Sequence, residues 1–524
     1  MNSKRISLVF LYMALSLILV ESKTSTAEPN GVVRLKSDGA VEPVGAHVES
    51  IDNVTYRLTS DMTESVIVEK NDIVLDGSGF SIEGSRDRDG IFMGGRRNVT
   101  IKNVKIENFS SGIRVFNSSN TSVLACTLAS NQWGLKLESC LSSYACGNDV
   151  VANSFGVVFD SSNNNTLFEN KVARNEFHGI YFFNSDFCRI RGNNITGNAR
   201  GIYFDYCSNN TIEDNNIVGN SYKAARLGYC NDSIIVDNVI ASNLYGFWLF
   251  GSSSNTVAGN IFVSNHYEGL YLAQSSNNDI VRNNAEANDH AGLQLLESSN
   301  FNKVSHNNLK ENGQKGVYMC NCSGNQFHHN NFISNMENLD IEDSGSNSWD
   351  DCEEGNYWSD YLGQDCDHDG IGDYARMIDA VNVDHYPLKG PIRSFKTDSG
   401  YVVDVTSNST IEWLGYSEQE KKITLYILNS SVGRSSGFCR VCIQRELVGD
   451  ELAVVVNEGQ MPTINQNYGL AGNQTRIWIY FEYGSLAYEI AIIPESTSSL
   501  ALILLFSVLS LAVWRKKARN PRVH

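Results

Sequence analysis

A small residue returns at one phase eleven times along this chain, and ten of the eleven are glycine. They are Gly90, Gly112, Gly134, Gly156, Gly179, Gly201, Gly246, Gly269, Gly292 and Gly316, with Ala224 filling the gap after Gly201. The steps between them are 22, 22, 22, 23, 22, 23, 22, 23, 23 and 24 residues. A nearly fixed period of this length marks stacked supersecondary units whose neighbours share one continuous core.

Inside the period runs a second rhythm, an asparagine about every five residues: Asn165, Asn170, Asn175, then Asn193, Asn198, then Asn210, Asn215, Asn220, and onward to Asn335. Short alternating apolar runs, such as Gly-Ile-Tyr-Phe-Asp at 201–205, lie between them. Alternation over a few residues reads as a strand, and clustered Asn, Ser and Gly read as turns. Three short strands and three turns per period predict one coil of a parallel β-helix, with coils stacked about 4.8 Å apart. An amide side chain carries both a donor and an acceptor, so asparagines in register can bond coil to coil. Asparagine also tolerates the left-handed backbone that a sharp corner needs. The leucine-rich horseshoe is the competing repeat fold. Here Ile, Leu, Val and Phe interchange while Asn holds the phase, which favours the β-helix.

The sequence divides around this solenoid. Lys4-Arg5 precedes an apolar run from Ile6 to Val20, the layout of a secretory signal over residues 1–27. Residues 28–71 precede the repeats and suit a cap over the open end of residues 72–342, about 11 coils. Residues 343–393 form an acidic, loop-rich segment, and 394–494 alternate like a small β-sandwich. A charge-free stretch at 497–514, followed by the basic tail 515–524, predicts a transmembrane helix with the body outside the cell. The fold class expected is therefore all-β: a right-handed parallel β-helix, a sandwich and a C-terminal membrane helix.

A net charge of −18 argues against nucleic acid as a partner, since phosphate binding needs a basic face. Thirteen N-x-S/T sequons agree with an exported chain. Twelve cysteines could pair there, Cys207 with Cys230 across adjacent coils, Cys140 with Cys146, and Cys352 with Cys366, or remain as buried thiols. The acidic segment contains Asp365, Asp367, Asp369 and Asp373, with Gly370 at the bend. Hard cations take six to eight oxygens, so these carboxylates plus the Ile371 carbonyl predict a calcium site. The twelfth position of the loop is Arg376, so the bidentate glutamate of an EF-hand is missing.

The N-x-I-x-x-N and G-I-x-L texture of the coils resembles the NosD-like repeats of the carbohydrate-binding and sugar-hydrolase (CASH) group of right-handed parallel β-helices. The run Asp72-Ile-Val-Leu-Asp-Gly-Ser-Gly-Phe-Ser-Ile-Glu-Gly84 is similar to that group's opening coil. Gly355-Asn-Tyr-Trp-Ser-Asp360 through Tyr386-Pro-Leu388 resembles the closing segment of archaeal cell-surface members, and Gly437-Phe-Cys-Arg-Val-Cys-Ile443 their C-terminal module. The resemblance implies a pectin-lyase-like fold on a surface protein, with polysaccharide or cell-envelope glycans as the default ligand.

Catalysis on such a fold would need paired carboxylates. Asp160 and Asp205 share a repeat position two coils apart, about 9.6 Å by coil spacing, with Asp186 nearby. Tyr181, Tyr203 and Tyr271 offer ring faces for sugar stacking. A lyase needs a basic residue beside calcium-binding acids, which Lys136, Arg189 and Arg226 lack. The NosD resemblance also implies copper, for which His306 and His329 would stack in adjacent coils beside His328. No Met- or His-rich tract accompanies them, so copper ranks behind glycans. The expectation is a membrane-tethered, non-catalytic, glycan-binding β-helix on the extracellular face. A polysaccharide lyase, hydrolase or epimerase is the first alternative, and a copper accessory protein the second.

Overall fold

Three long parallel sheets wind through one chain. In the computed structural model, which describes residues 31–428, 437–448, 452–456, 464–471, 475–483 and 488–494, they contain 15, 14 and 13 strands. One coil runs His178–Phe183, Arg189–Arg191, Asn194–Thr196 and then Arg200–Asp205, which pairs in parallel with His178–Phe183. The first sheet takes mostly six-residue strands, and the other two take three-residue strands across two tighter walls. A single apolar core fills the interior from Val33 to Trp358, with columns such as Phe159, Phe182 and Phe204 stacked inside.

The phase glycines are fixed by close approach rather than by backbone twist. A methyl group built on Gly179 would lie 2.8 Å from the carbonyl oxygen of Gly201 and 2.9 Å from Nδ2 of Asn198. Gly112 meets the same pair of obstacles in its neighbour Gly134 and in Asn131. Real Cβ atoms do not sit that close to backbone, so the coil spacing leaves room for hydrogen there.

The asparagines stack as expected. The Asn170 backbone N–H and Nδ2 both donate to Oδ1 of Asn193, at 2.9 and 3.0 Å, and Asn193 Nδ2 donates to Oδ1 of Asn215 at 3.0 Å. Most ladder amides also reach back to a carbonyl of the preceding coil, as Asn193 does to Leu167 at 3.1 Å. The corners are thus closed by buried ladders, most of whose amides are satisfied on both sides, Asn165 and Asn210 Nδ2 being exceptions. The left-handed residues are mostly others. Glu169, Arg174, Asp214 and Asp237 adopt positive φ immediately before a ladder asparagine, so the amide is needed for bonding and its neighbour takes the strained turn.

The solenoid is longer than the glycine count implies, about 13 turns against the 11 expected. Val32–Leu35 and Ser65–Val68 already pair in parallel in the first sheet, and Tyr357–Trp358 extends the third. The coil at 65–68 escapes the period because its phase position is serine. The register Val66↔Ile91 sets Ser65 opposite Gly90, and Ser65 is buried there.

All twelve cysteines are free thiols. Cys207 and Cys230 stand where serine stands in neighbouring coils: Cys207 N–H donates to Cys230 Sγ at 3.3 Å, and Cys230 N–H to Ser252 Oγ at 2.9 Å. They are rungs of a polar ladder rather than halves of a bridge. Cys140 and Cys146, like Cys352 and Cys366, are also unbridged.

Beyond the coils, a five-stranded and a four-stranded antiparallel sheet enclose a second core that includes Val405, Val441, Ile479, Leu425 and Ile490. This sandwich is tied to the end of the solenoid. Asn331 exchanges two hydrogen bonds with the Ile392 backbone, and Arg440 binds Glu354 at 2.7 Å. No helix among the described residues is long and apolar enough to cross a membrane. The segments expected as signal (1–27) and membrane span (497–514) lie outside the described residues.

Candidate functional site

The outer face of the first sheet is where the repeats stop resembling one another. Inward positions stay small or apolar, while the residue just before each phase residue runs Trp133, Phe155, His178, Arg200, Lys223, Tyr245 and Glu268. Two residues after the glycine, the outward side chains are Lys136, Val158, Tyr181, Tyr203, Arg226, Trp248 and Tyr271, one per coil in register. The two columns mesh into a nearly continuous band of rings. Phe155 stacks on His178 at 5.6 Å, His178 meets Tyr203 at 5.0 Å, Tyr245 stacks on Tyr267 at 4.4 Å, and Trp248 stacks on Tyr271 at 4.1 Å. From Trp133 to His290 the band crosses eight coils, roughly 34 Å at the usual strand spacing.

Cations sit among these rings. Lys223 Nζ lies 3.2 Å from the Trp248 ring centroid, and the Arg226 guanidinium 4.8 Å from that of Tyr203. Arg226 is paired with Asp205. Burial pushes the Lys223 ammonium down to about 7, and the neighbouring Arg226 and Arg200 add to that. Burial also raises the Glu268 carboxyl, and it drives His178 down to about 3, leaving that ring neutral.

The carboxylates named from sequence lie close to this face but do not converge. Asp160 and Asp205 do share a column, separated by Phe183 in the register Asp160↔Phe183↔Asp205. Asp160 bonds Ser161 Oγ, Asp205 is taken by Arg226, and Asp186 accepts the Ser208 amide on the corner beyond the sheet. Tyr181 and Tyr203 come together, 6.0 Å between centroids, and Tyr271 joins through Trp248. His178, Lys223, Trp248 and Glu268 went unnoticed in the sequence reading. Their signal was positional, since three of them directly precede a phase residue where no repeat requirement holds.

In the acidic loop, Asp365, Asp367 and Asp369 bring their carboxylate oxygens within 4.8 Å of one another. Asp373 turns away and accepts the Cys366 amide at 2.8 Å. Ile371 is held in an antiparallel bridge to Leu388. Asp365 accepts the amides of Asp369 and Gly370, which shapes the loop.

At the junction with the sandwich, the His306 ring lies 4.8 Å from that of His329, tilted by 31°, with His328 beside them. The Nδ1 atoms of His328 and His329 face each other at 2.8 Å, and Asp351 comes within 4.8 Å of both rings. His329 Nε2 is bonded to Glu354, itself anchored by Arg440. A recess of about 490 Å³ opens nearby, lined by Trp349, Asp350 and His385 among others, but there His385 is already paired with Asp350.

A family model described as "Periplasmic copper-binding protein (NosD)" matches residues 62–226 and 220–363, more than half of the chain. The chain belongs to the NosD family. Matched in this way, the NosD family repeats cover nearly the whole solenoid and stop at the acidic loop. No curated protein matches the sequence. Solved structures align with the chain at low identity. The Dettilon tailspike protein is 12% identical over 82% of this chain and 87% of its own, with a TM-score of 0.37. A double mutant of the periplasmic alginate epimerase AlgG is 16% identical over 60% and 84%, at 0.40. The A-module of the Azotobacter vinelandii mannuronan C-5 epimerase AlgE6 is 13% identical over 56% and 88%, at 0.39.

The family description raises copper, and the junction imidazoles fit it. Two facing Nδ1 atoms and a carboxylate are donors that a divalent transition ion accepts. A carboxylate behind the far nitrogen of His329 is the arrangement that commonly orients a metal-bound imidazole.

Proposed function

We propose that this chain is a glycan-binding β-helix displayed outside the cell, with the outer face of the first sheet as its binding surface. The observation that carries the reading is the band of ring faces from Trp133 to His290, built on a rigid sheet with polar groups interleaved. Sugar rings present apolar C–H faces that pack on aromatic rings, while their hydroxyls need placed polar partners. The role is binding rather than glycoside hydrolysis, because Asp160, Asp186 and Asp205 are each engaged separately and do not flank one shared point. Tethering by the 497–514 segment completes the proposal. The test is a glycan array on the full-length protein, repeated with Trp248→Ala. The variant is expected to lose the wild-type hits, and an unchanged profile removes the face from the binding site.

Copper is the second reading, supported by the His328–His329 geometry. His328, His329 and Asp351 would hold the ion, and copper there would supply a tightly held cation at the solenoid end. Cu(II) added to the full-length protein should give a nitrogen-coupled paramagnetic spectrum that His329→Ala abolishes; identical spectra in the two proteins reject it. For the acidic loop we propose calcium held by Asp365, Asp367 and Asp369. Its role is to order the segment between solenoid and sandwich, because Arg440 already ties the Asp369 carbonyl to the sandwich at 2.8 Å.

A further inference from the structure

On a chain of net charge −18, the middle of the ring-lined face is locally positive. Arg200 precedes Gly201, and Lys223 and Arg226 flank Ala224 on the next coil, so three cations occupy two adjacent strands. Arg226 has its carboxylate in Asp205. Among the described residues, Arg200 and Lys223 have no carboxylate at ion-pair distance. What they have instead is rings. Lys223 Nζ lies 3.2 Å from the Trp248 centroid and 5.3 Å from that of Tyr222, and the Arg200 guanidinium lies 5.4 Å from Tyr222 and 5.9 Å from Tyr203.

Lys223 is only 7% exposed. An ammonium taken that far from water without a counter-ion is costly, and ring faces offset part of that cost without neutralising it. A second observation points the same way. Three buried polar atoms without any hydrogen-bond partner, His178 Nδ1, Trp248 Nε1 and Glu268 Oε2, fall on this one stretch of the face. Lys223 and Glu268 are opposite charges left apart rather than joined. The patch is complete only when something else brings an anion for Lys223 and a hydroxyl for Glu268.

We propose that Arg200 and Lys223 form a subsite for the carboxylate of an acidic sugar, so that the ligand of this face is a uronic-acid-rich polysaccharide. The proposal rests on the glycan-binding reading above and narrows it from glycans in general to polyanionic chains. Tyr222 and Trp248 are the ring walls of the subsite, and Glu268 accepts a hydroxyl of the same or the next residue. Arg226 stays with Asp205 and contributes charge without direct contact. Because the free Lys223 amine sits near 7, an arriving carboxylate draws the proton back onto it. Affinity therefore falls as pH rises through neutrality and beyond. The groups facing Lys223 are Arg200, Arg226 with Asp205, Glu268, Tyr222 and Tyr245, with His178 beyond Arg200 and His290 beyond Glu268.

The experiment is calorimetry on the full-length protein with three probes: polygalacturonate, the same polymer reduced to neutral galactan, and dextran sulfate. Each is run at about pH 6 and about pH 9, on either side of the Lys223 transition. Polygalacturonate is expected to bind at the lower pH, and Lys223→Met or Arg200→Gln to weaken it about ten- to a hundredfold, the worth of one charge-assisted contact. The wild-type affinity drops between the two pH values, while Lys223→Met is flat; Glu268→Gln, which keeps the drop, assigns it to Lys223. Near-ultraviolet circular dichroism verifies that each variant keeps the wild-type fold. Equal binding of the acidic and reduced polymers, unaffected by Lys223→Met, overturns the subsite and leaves the glycan-binding face standing. Tighter binding of dextran sulfate than of polygalacturonate overturns the carboxylate assignment. No binding of any probe overturns the subsite and the reading beneath it together.

Discussion

Replacing Asn193 by alanine tests the physics that holds the coils in register. Asn193 Oδ1 accepts both the backbone N–H and Nδ2 of Asn170, and its Nδ2 donates to Leu167 O, Arg191 O and Asn215 Oδ1. Alanine removes all five. Some partners keep a second bond: Asn170 Nδ2 still reaches Ala145 O, and Asn215 Oδ1 still accepts the backbone N–H of residue 193. The Asn170 backbone N–H is left with no acceptor in a buried corner, and Leu167 O loses its side-chain donor. An orphaned buried group costs about 1–3 kcal/mol. One full orphan, one partial orphan and the missing side-chain volume sum to roughly 3–5 kcal/mol. Asn194, the next residue, is exposed and only accepts an amide from Asn216, so Asn194→Ala should change stability by less than about 0.5 kcal/mol. Chemical denaturation of the two variants gives the difference, and native-state hydrogen exchange should show lost protection centred on residues 165–220. If the two variants prove equally stable, or if exchange rises uniformly along the solenoid, the ladder is not what registers the coils.

Three further outcomes follow from single contacts. Gly179→Ala places a methyl 2.8 Å from the Gly201 carbonyl and should cost about 1–3 kcal/mol in the same denaturation assay, whereas wild-type stability would show that the coils spread freely. Lys223→Met should be more stable than wild type near pH 6, where both folded and unfolded lysine are charged and the fold bears the whole desolvation cost. Between about pH 7 and pH 10.4 the unfolded chain keeps a proton that the fold releases, so wild-type stability rises with pH by up to about 1.4 kcal/mol per unit and the variant's does not; parallel pH profiles would refute the buried, counter-ion-free amine. Calcium titrated into the full-length protein should give weak heats, with Kd of about 10⁻⁴–10⁻³ M, absent in Asp367→Ala; no heat in the wild type removes the site.

The solenoid was legible because a structural requirement repeats at each step. Only hydrogen fits beside the next carbonyl at Gly112 or Gly179, and an amide such as that of Asn193 bonds both neighbouring coils at once. The end coils were illegible for the converse reason, since Ser65 holds the same phase position without showing the same letter. The left-handed turns were misassigned to the ladder asparagines because one-dimensional spacing cannot separate Asn170 from Glu169, which holds the positive φ beside it. Cys207 and Cys230, read as a candidate bridge, proved to be serine substitutes in a ladder, a role visible only once the column was assembled.

The same logic explains why the binding face had to be found in space. In a coil such as residues 178–183, Ile180 and Phe182 are committed to the apolar core and Gly179 to the close approach of coils, while His178, Tyr181 and Phe183 lie outside that core. Free positions vary from coil to coil, so they carry no period for sequence reading to detect. Their juxtaposition is nonetheless fixed by the register, which sets Tyr181 over Tyr203 and Tyr203 over Arg226. Departure from the repeat is therefore the informative signal in such a chain. On the first sheet such a departure is also where rings, unpaired cations and unpartnered polar atoms coincide.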